Sequence, residues 1–220
     1  MKKILVLILA LVLCLSFAAC TAEEAAPEES TPSESAPVEE SADPGLQKLI
    51  VGASPSPHAE ILRQVVEDLA AQGIDLEIVE FTDYVLPNET LTPGEIDANY
   101  FQHQPYLDTY NTENGTDIVS AGAIHYEPLG IYPGKTATLE GLQDGAAIAI
   151  PNDGSNEARA LYLLQDLGLI TVNDANGYNI TVLDITENPH NLEITEIEAA
   201  QLPQILPDVD FAIINGNYAI

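Results

Sequence analysis

Arg159 is one of only six basic residues in a chain of 220 residues that carries 35 acidic ones. Apolar periodicity predicts a helix over residues 156–167, which places Arg159 in its first turn. The helix dipole disfavours a cation there, so we expect an anion to compensate it. A ligand carboxylate held by the guanidinium fork and the helix N–H groups would do so. The alternative is a salt bridge to one of the many acidic side chains.

An aromatic residue and a histidine lie two positions apart, at Phe101 and His103. If this segment is extended, both side chains point to the same side of it. They would then form a wall for an apolar or thioether side chain, because sulfur packs well against the edges of aromatic rings. The alternative is a core phenylalanine next to a surface histidine.

Several polar side chains are predicted to lie near the ends of strands. Tyr84, residues 152–156 and Asn215 each come soon after a predicted strand. In open parallel α/β sheets, ligands bind beyond the carboxyl ends of the strands, so these segments are expected to line a ligand cleft. Asn215 and Asn217 flank Gly216, however, and a plain turn is the alternative for that segment.

Signals for metal binding or catalysis are weak in this sequence. The four histidines, at positions 58, 103, 125 and 190, show no metal-ligand spacing such as His-Glu-x-x-His. Residues 174–177 are faintly similar to a calcium-binding loop but lack its other ligands, which favours a plain turn. The sequence contains no Gly-x-Ser-x-Gly nucleophile motif. We therefore expect no metal, no cofactor and no enzymatic activity.

The elements that would position these residues alternate between apolar strands and amphipathic helices from Leu46 onward. Residues 48–52 are predicted to form a buried strand, followed by a helix that Ser56 caps and that has Pro57 at its first position. Apolar residues at helical spacing are expected to form the core face of that helix: Ile61, Leu62, Val65, Val66 and Leu69.

Further strands are predicted at residues 74–81, 146–150, 180–183, 193–198 and 211–214, with a helical stretch near 201–205. Gly168 is expected to close the helix over 156–167. Strands that alternate with helices through short connections predict an α/β protein with mainly parallel sheets. Residues 126–142 contain prolines and glycines that interrupt this pattern, and we expect a crossover between two domains there.

The N-terminal residues 1–19 have the features of a bacterial lipoprotein signal peptide. A basic start, an apolar run and small residues before Cys20 fit export, and the run is too short to span a bilayer comfortably. The residues around Cys20 resemble the lipobox, in which this cysteine is lipidated. The alternative is an ordinary secretory signal that leaves Cys20 as a free thiol. Residues 20–45, rich in Glu, Ser, Pro and Ala, are predicted to form a disordered acidic tether.

The charge balance limits the possible partners. The formal net charge is −29, and removal of the signal peptide leaves four basic residues against 35 acidic ones. Nucleic acid and anionic membrane surfaces would repel such a chain, so we expect no nucleic-acid partner. Membrane contact is expected only through the N-terminal lipid.

Several segments of the chain together resemble the NlpA/MetQ family of methionine-binding lipoproteins. They are residues 51–60, 81–88, 96–108, 150–153, 187–189, 198–203 and 213–219. The match follows the family's order from about Leu49 to Ile220. The resemblance implies a periplasmic-binding-protein-like (type II) α/β fold of two domains, at 46–127 and 128–220. It also implies C-terminal truncation, because family members usually continue past this point.

The resemblance further implies a ligand site built from Tyr84, Phe101, His103, Asn156, Arg159, Glu198 and Asn215. The first three would form the side-chain pocket, and Arg159 would hold the ligand carboxylate with Asn156 beside it. Asn215 would bind the polar end of an amino acid, and Glu198 is a further candidate.

The function implied is that of a receptor on the extracytoplasmic face of the cell membrane. It would capture methionine or a close relative and deliver it to the membrane subunits of an ABC importer. An enzyme on the same fold, such as a small-molecule dehydratase, and a receptor for another small amino acid or peptide are the alternatives, because a fold does not fix a function. The absence of paired acid/base residues favours a receptor.

Overall fold

The computed structural model describes residues 45–220, which belong to one compact unit. The predicted signal peptide at 1–19, Cys20 and nearly all of the predicted tether at 20–45 lie outside the described residues. Within residues 45–220, no helix combines the length and the apolar character that a membrane span needs.

The strands within residues 45–220 form three sheets. In chain order they are β1 (Gln47–Ala53), β2 (Ile74–Glu80), β3 (Ala98–Tyr100), β4 (Leu129–Pro133), β5 (Ala147–Pro151), β6 (Thr171–Val172), β7 (Ile185–Glu187), β8 (Glu193–Ile197) and β9 (Phe211–Asn215). The first sheet has the order β2-β1-β3 and is parallel. The second has the order β4-β9-β5-β8, in which only β4 runs antiparallel to its neighbour. The third sheet pairs β6 with β7, antiparallel.

The helices between these strands are mostly short. In chain order they are α1 (Glu60–Arg63), α2 (Val66–Ala70), α3 (Leu86–Leu91), α4 (Gln104–Asn114), α5 (Gly154–Asp166) and α6 (Gly216–Ala219). The first sheet uses strands from within residues 46–127 and the second uses strands from within 128–220. The division into two domains at these limits stays a prediction.

The principal core lies between α5 and the second sheet. Ile148 and Ile150 of β5 are fully buried, as are Leu161 and Leu164 of α5. A continuous apolar run such as that of β5 is typical of a strand covered on both faces. The side chain of Asp153 caps the start of α5, and Gly168, at φ +73°, follows its end. The first turn of α5 is therefore fixed at the carboxyl end of β5.

Two hydrogen bonds between Asp97 and Ile50 fix the start of β3 in the first sheet. Asp97 donates its main-chain N–H to the carbonyl of Ile50 at 2.9 Å, and its carboxylate accepts the N–H of Ile50 at 2.8 Å. These bonds hold the chain against β1 where β3 begins. As a result, Phe101 and His103 emerge at the carboxyl end of β3, next to that of β1.

Most predicted strands are confirmed to within a few residues, but the strand at 180–183 is wrong. Thr181 and Asp184 form a capping box that turns the chain into a short 3₁₀ helix at Val182–Asp184. The strand β7 forms only after this turn and pairs with β6. The predicted helical stretch near 201–205 forms no α-helix; the structure instead has short 3₁₀ helices at Ala199–Gln201 and Leu206–Asp208, with turns between them.

The predicted crossover at 126–142 contains a strand that the sequence pattern hid. β4 lies at the edge of the second sheet, where Pro133 pairs with Phe211. An edge position tolerates proline because no second neighbour needs its missing N–H. The second sheet is therefore mixed, whereas the first is fully parallel as predicted.

The predicted first helix differs most from the structure. Ser56 does not cap it, because a π-type turn at Pro55–Ala59 starts the segment with Ser54 at the capping position. The expected single helix is split into α1 and α2, with Val65 between them at φ −106° and ψ 1°. None of the five side chains predicted for its core face is buried in the described part of the chain, and Val65 is 38% exposed.

Candidate functional site

Three hydrogen-bond donors converge on one oxygen at the start of α5. This oxygen is Oδ1 of Asn156, a residue that is 2% exposed. The donors are His103 Nε2 at 3.2 Å, Arg159 Nη1 at 2.9 Å and Asn215 Nδ2 at 2.9 Å. A guanidinium can only donate, so Arg159 fixes which amide atom of Asn156 faces it. The amide nitrogen of Asn156 in turn donates to Oδ1 of Asp153 at 2.7 Å.

This arrangement has more donors than the amide oxygen can satisfy. A carbonyl oxygen has two lone pairs, whereas an ionised carboxylate offers about four acceptor sites. The three side chains come from the segment after β3, from α5 and from the end of β9. The fold therefore assembles, from distant parts of the chain, a group of donors that suits a carboxylate.

Unpaired acceptors lie beside these donors. Oδ2 of Asp153, Oγ of Ser155 and Oδ1 of Asn215 are buried without a hydrogen-bond partner. An unsatisfied buried polar group costs about 1 to 3 kcal/mol. Burial also raises the pKa of the Asp153 carboxyl, against its hydrogen bonds from Asn156 and the charge of Arg159. An ammonium group would satisfy these acceptors and favour the ionised carboxylate.

Arg159 lies in the second turn of α5, so the prediction of a first-turn position is wrong. The helix begins at Gly154 because Asp153, rather than a later residue, caps it. The second guanidinium nitrogen, Nη2, donates to the main-chain oxygen of Glu127 at 3.1 Å. Within residues 45–220, Arg159 forms no ion pair with an acidic side chain, so the salt-bridge alternative is wrong.

His103 occupies the position before α4, with an extended backbone at φ −95° and ψ 161°. Its side chain is half-buried, which contradicts the alternative of a surface histidine. Burial and the nearby charge of Arg159 lower the pKa of His103 to about 4, against the hydrogen bond with Asn156. The imidazole is therefore neutral at pH 7 and carries its proton on Nε2, where it donates to Asn156.

An aromatic cluster adjoins His103. The ring centroids of Tyr84 and Phe101 lie 6.1 Å apart, those of Phe101 and Tyr106 lie 5.7 Å apart, and those of Tyr84 and Tyr218 lie 5.1 Å apart. The ring centroids of Tyr106 and His103 lie 6.4 Å apart, and the hydroxyl of Tyr106 donates a hydrogen bond to the main-chain oxygen of Tyr84. The structure thus brings Tyr84 and Phe101 together as predicted, and Tyr106 connects them to His103.

Sequence reasoning missed several members of this site. Tyr106 lies in a segment already recognised as family-like, and Asp153 could have been found as a helix cap. Asn217, predicted only as a turn residue, accepts a hydrogen bond from the hydroxyl of Tyr84 through its side-chain oxygen Oδ1. Burial raises the pKa of Tyr84, which keeps that hydroxyl protonated.

The predicted site residue Glu198 is exposed, and its carboxylate accepts a hydrogen bond from the side chain of Gln201.

The fold is α/β and periplasmic-binding-protein-like, with polar residues gathered at the carboxyl ends of strands in both sheets. The chain belongs to the NlpA lipoprotein family, whose model matches residues 49–220.

Relatives and solved structures agree with this assignment. The chain is 46% identical over 185 residues to the D-methionine-binding lipoprotein MetQ of Escherichia coli K12, covering 82% of this chain and 67% of that one. A nutrient binding protein from Burkholderia cenocepacia, solved bound to methionine, is 47% identical with a TM-score of 0.72, covering 78% of this chain and 73% of that one. The substrate binding protein of a methionine transporter from Streptococcus pneumoniae is 38% identical with a TM-score of 0.73, covering 78% and 69%. The matched region spans 63 to 67% of the length of curated relatives.

Proposed function

We propose that this chain is a lipid-anchored solute-binding protein on the extracytoplasmic face of the membrane. It captures methionine or a close relative and delivers it to the membrane subunits of an ABC importer. The observation that carries the proposal is the excess of donors around Asn156 Oδ1 beside unpaired buried acceptors. The names of the relatives, which bind methionine or serve a methionine transporter, support it.

The charges of the site match an amino acid zwitterion. In the proposed complex, the ligand carboxylate accepts hydrogen bonds from Arg159 and His103, both of which donate to Asn156 Oδ1 in the structure. The ammonium group donates to Asp153 Oδ2 and Asn215 Oδ1, which lack partners. The charges of the Arg159 guanidinium and the Asp153 carboxylate cancel. The charges of the ligand's carboxylate and ammonium group cancel as well, so binding leaves no unpaired buried charge.

The ligand side chain would contact the aromatic cluster of Tyr84, Phe101 and Tyr106. This cluster presents ring faces and edges, and its tyrosines stay uncharged because burial raises their pKa. Contact between sulfur and an aromatic ring contributes about 0.3 to 1.5 kcal/mol. The charged ends of lysine or aspartate would be buried there without a partner, which is costly. The site should therefore prefer an unbranched, polarizable side chain.

A binding role fits the site better than the alternative of a small-molecule dehydratase. A general base works best when its pKa lies near the working pH. His103, whose pKa is lowered to about 4, is therefore a weak base at neutral pH and serves better as a hydrogen-bond donor. Asp153 is already engaged as the cap of α5. Incubation of the protein with candidate ligands should return them chemically unchanged.

The experiment is a thermal-shift panel on the full chain. Methionine should stabilise the fold, norleucine somewhat less, and lysine and aspartate should have no effect. The expected gain is about 2.7 kcal/mol at a hundredfold excess over the dissociation constant. N-acetylmethionine and methionine methyl ester, which block the two charged groups separately, should each lose most of the shift. A shift with lysine or a sugar but none with methionine would show that the proposed pocket is wrong.

A further inference from the structure

Two histidines and a glutamate meet beside the candidate ligand site. His125 Nε2 lies 3.0 Å from Oε1 of Glu127, and His58 Nε2 lies 3.7 Å from the same oxygen. One ligand atom from each residue falls within 4.8 Å of the other two. His58 is 3% exposed, whereas the side chains of His125 and Glu127 are each 24% exposed. The cluster is therefore anchored in the interior and open to solvent on one side.

The geometry suits a transition-metal ion. Bonds of 2.0 to 2.1 Å in a tetrahedral zinc site place neighbouring ligand atoms roughly 3.3 Å apart. The two distances to Glu127 Oε1 lie on either side of that value, and the imidazole ligand atoms of His58 and His125 lie within 4.8 Å of each other, so rotation of these side chains would bring the three atoms to that spacing. Two imidazoles and one carboxylate are also ligand types that zinc accepts, and three protein ligands leave a fourth position open.

The surroundings of the cluster favour this use. Tyr100 bonds through its hydroxyl to Nδ1 of His125, and its ring packs against His58 with centroids 4.8 Å apart. Metal-bound histidines commonly hold their second nitrogen in this way, which fixes the tautomer. With a metal on Nε2, His125 would carry its proton on Nδ1 and donate it to Tyr100.

We propose that His58, His125 and Glu127 form a binding site for one divalent transition-metal ion, with Zn²⁺ as the best match and water in the open position. The site is separate from the pocket proposed for the amino acid and does not depend on that function. The two are neighbours, since the main-chain oxygen of Glu127 accepts from Arg159. Spacing in the sequence did not indicate the site because His58 lies far from the other two ligands along the chain.

The test is a zinc titration of the full chain, stripped with chelator and dialysed, in competition with a chromophoric chelator. The wild type should bind one equivalent of Zn²⁺. His125→Ala and Glu127→Gln should each weaken binding by tenfold or more, and Tyr100→Phe by about tenfold through loss of the outer partner. Co²⁺ should give the visible absorption of a tetrahedral site in the wild type but not in His125→Ala. Thermal melts without metal would establish that each variant is folded.

His190→Ala is the matched control. His190 also pairs with a carboxylate, that of Asp144 at 3.1 Å, but belongs to the loop between β7 and β8. Its removal should leave zinc binding unchanged. The proposal is overturned if the wild type binds no zinc in this competition. It is also overturned if His125→Ala and Glu127→Gln keep wild-type affinity, or if His190→Ala removes the site.

Discussion

Arg159→Ala should weaken amino-acid binding far more than it lowers stability. The guanidinium makes two hydrogen bonds, to Asn156 Oδ1 and to the main-chain oxygen of Glu127. In the proposed complex it also pairs with the ligand carboxylate. The substitution removes all three interactions and the only cation that faces the ligand in the proposed arrangement.

The cost to stability is limited because Asn156 Oδ1 keeps its bonds from His103 and Asn215. The main-chain oxygen of Glu127 loses its donor in this substitution, which costs about 1 to 3 kcal/mol. Loss of one partner of a desolvated charge pair costs about 2 to 5 kcal/mol of binding. That range corresponds to a fall in affinity of roughly 30-fold to a few thousand-fold.

Isothermal titration calorimetry with methionine would measure the affinity, and denaturant unfolding would measure the stability. Arg63→Ala is the matched control, since Arg63 forms an exposed ion pair with Glu80 and should leave methionine affinity unchanged. Arg159→Lys keeps the charge but loses the planar fork, so its affinity should fall between those of the wild type and Arg159→Ala. A change of less than threefold in Arg159→Ala would refute the assignment of this residue to the ligand carboxylate.

Three further predictions test other parts of the molecule. Cys20→Ala should move the protein from the membrane fraction to the soluble fraction, because its lipid would be the anchor; unchanged fractionation would contradict the lipoprotein assignment. His103 should titrate near pH 4 in NMR spectra. Because its pKa is lowered in the folded chain, its contribution to stability should be complete above about pH 6.5 and lost as the pH falls toward 4. A titration midpoint near pH 6.5 in the folded chain would contradict its burial beside Arg159. Gly134→Ala should destabilise the fold by about 1 to 3 kcal/mol in denaturant unfolding, because the added carbon would lie 2.3 Å from two main-chain oxygens. Gly122→Ala, which meets open space, should change stability by less than about 0.5 kcal/mol, and equal effects of the two substitutions would contradict the packing described.

The sequence predicted those elements whose local pattern agrees with their burial. β5 is a continuous apolar run and α5 has a clear helical period, and both formed close to the predicted limits. The errors arose where tertiary context decides the outcome. β4 is a strand because it pairs with β9 at the edge of the second sheet, although its own sequence contains proline and glycine. Residues 180–183 are apolar enough for a strand, but the side chains of Thr181 and Asp184 stabilise a turn.

The candidate site was predictable in its parts more than in its connections. Arg159 was selected because it was predicted to lie in the first turn of a helix, whereas the structure places it in the second turn of α5. The spacing of Phe101 and His103 indicated a common face. The central position of Asn156 could not be predicted, because its three donors come from segments that only the fold brings together. For the same reason His58 was not associated with His125 and Glu127.

The most direct test of methionine capture is mass spectrometry of small molecules released from the purified chain by denaturation. We predict that methionine is released in an amount approaching one per chain from the wild type, and in a much smaller amount from Arg159→Ala purified in parallel. Release of a different solute in that amount, or a wild-type chain that carries nothing and gives no heat when titrated with methionine, would contradict the proposed function.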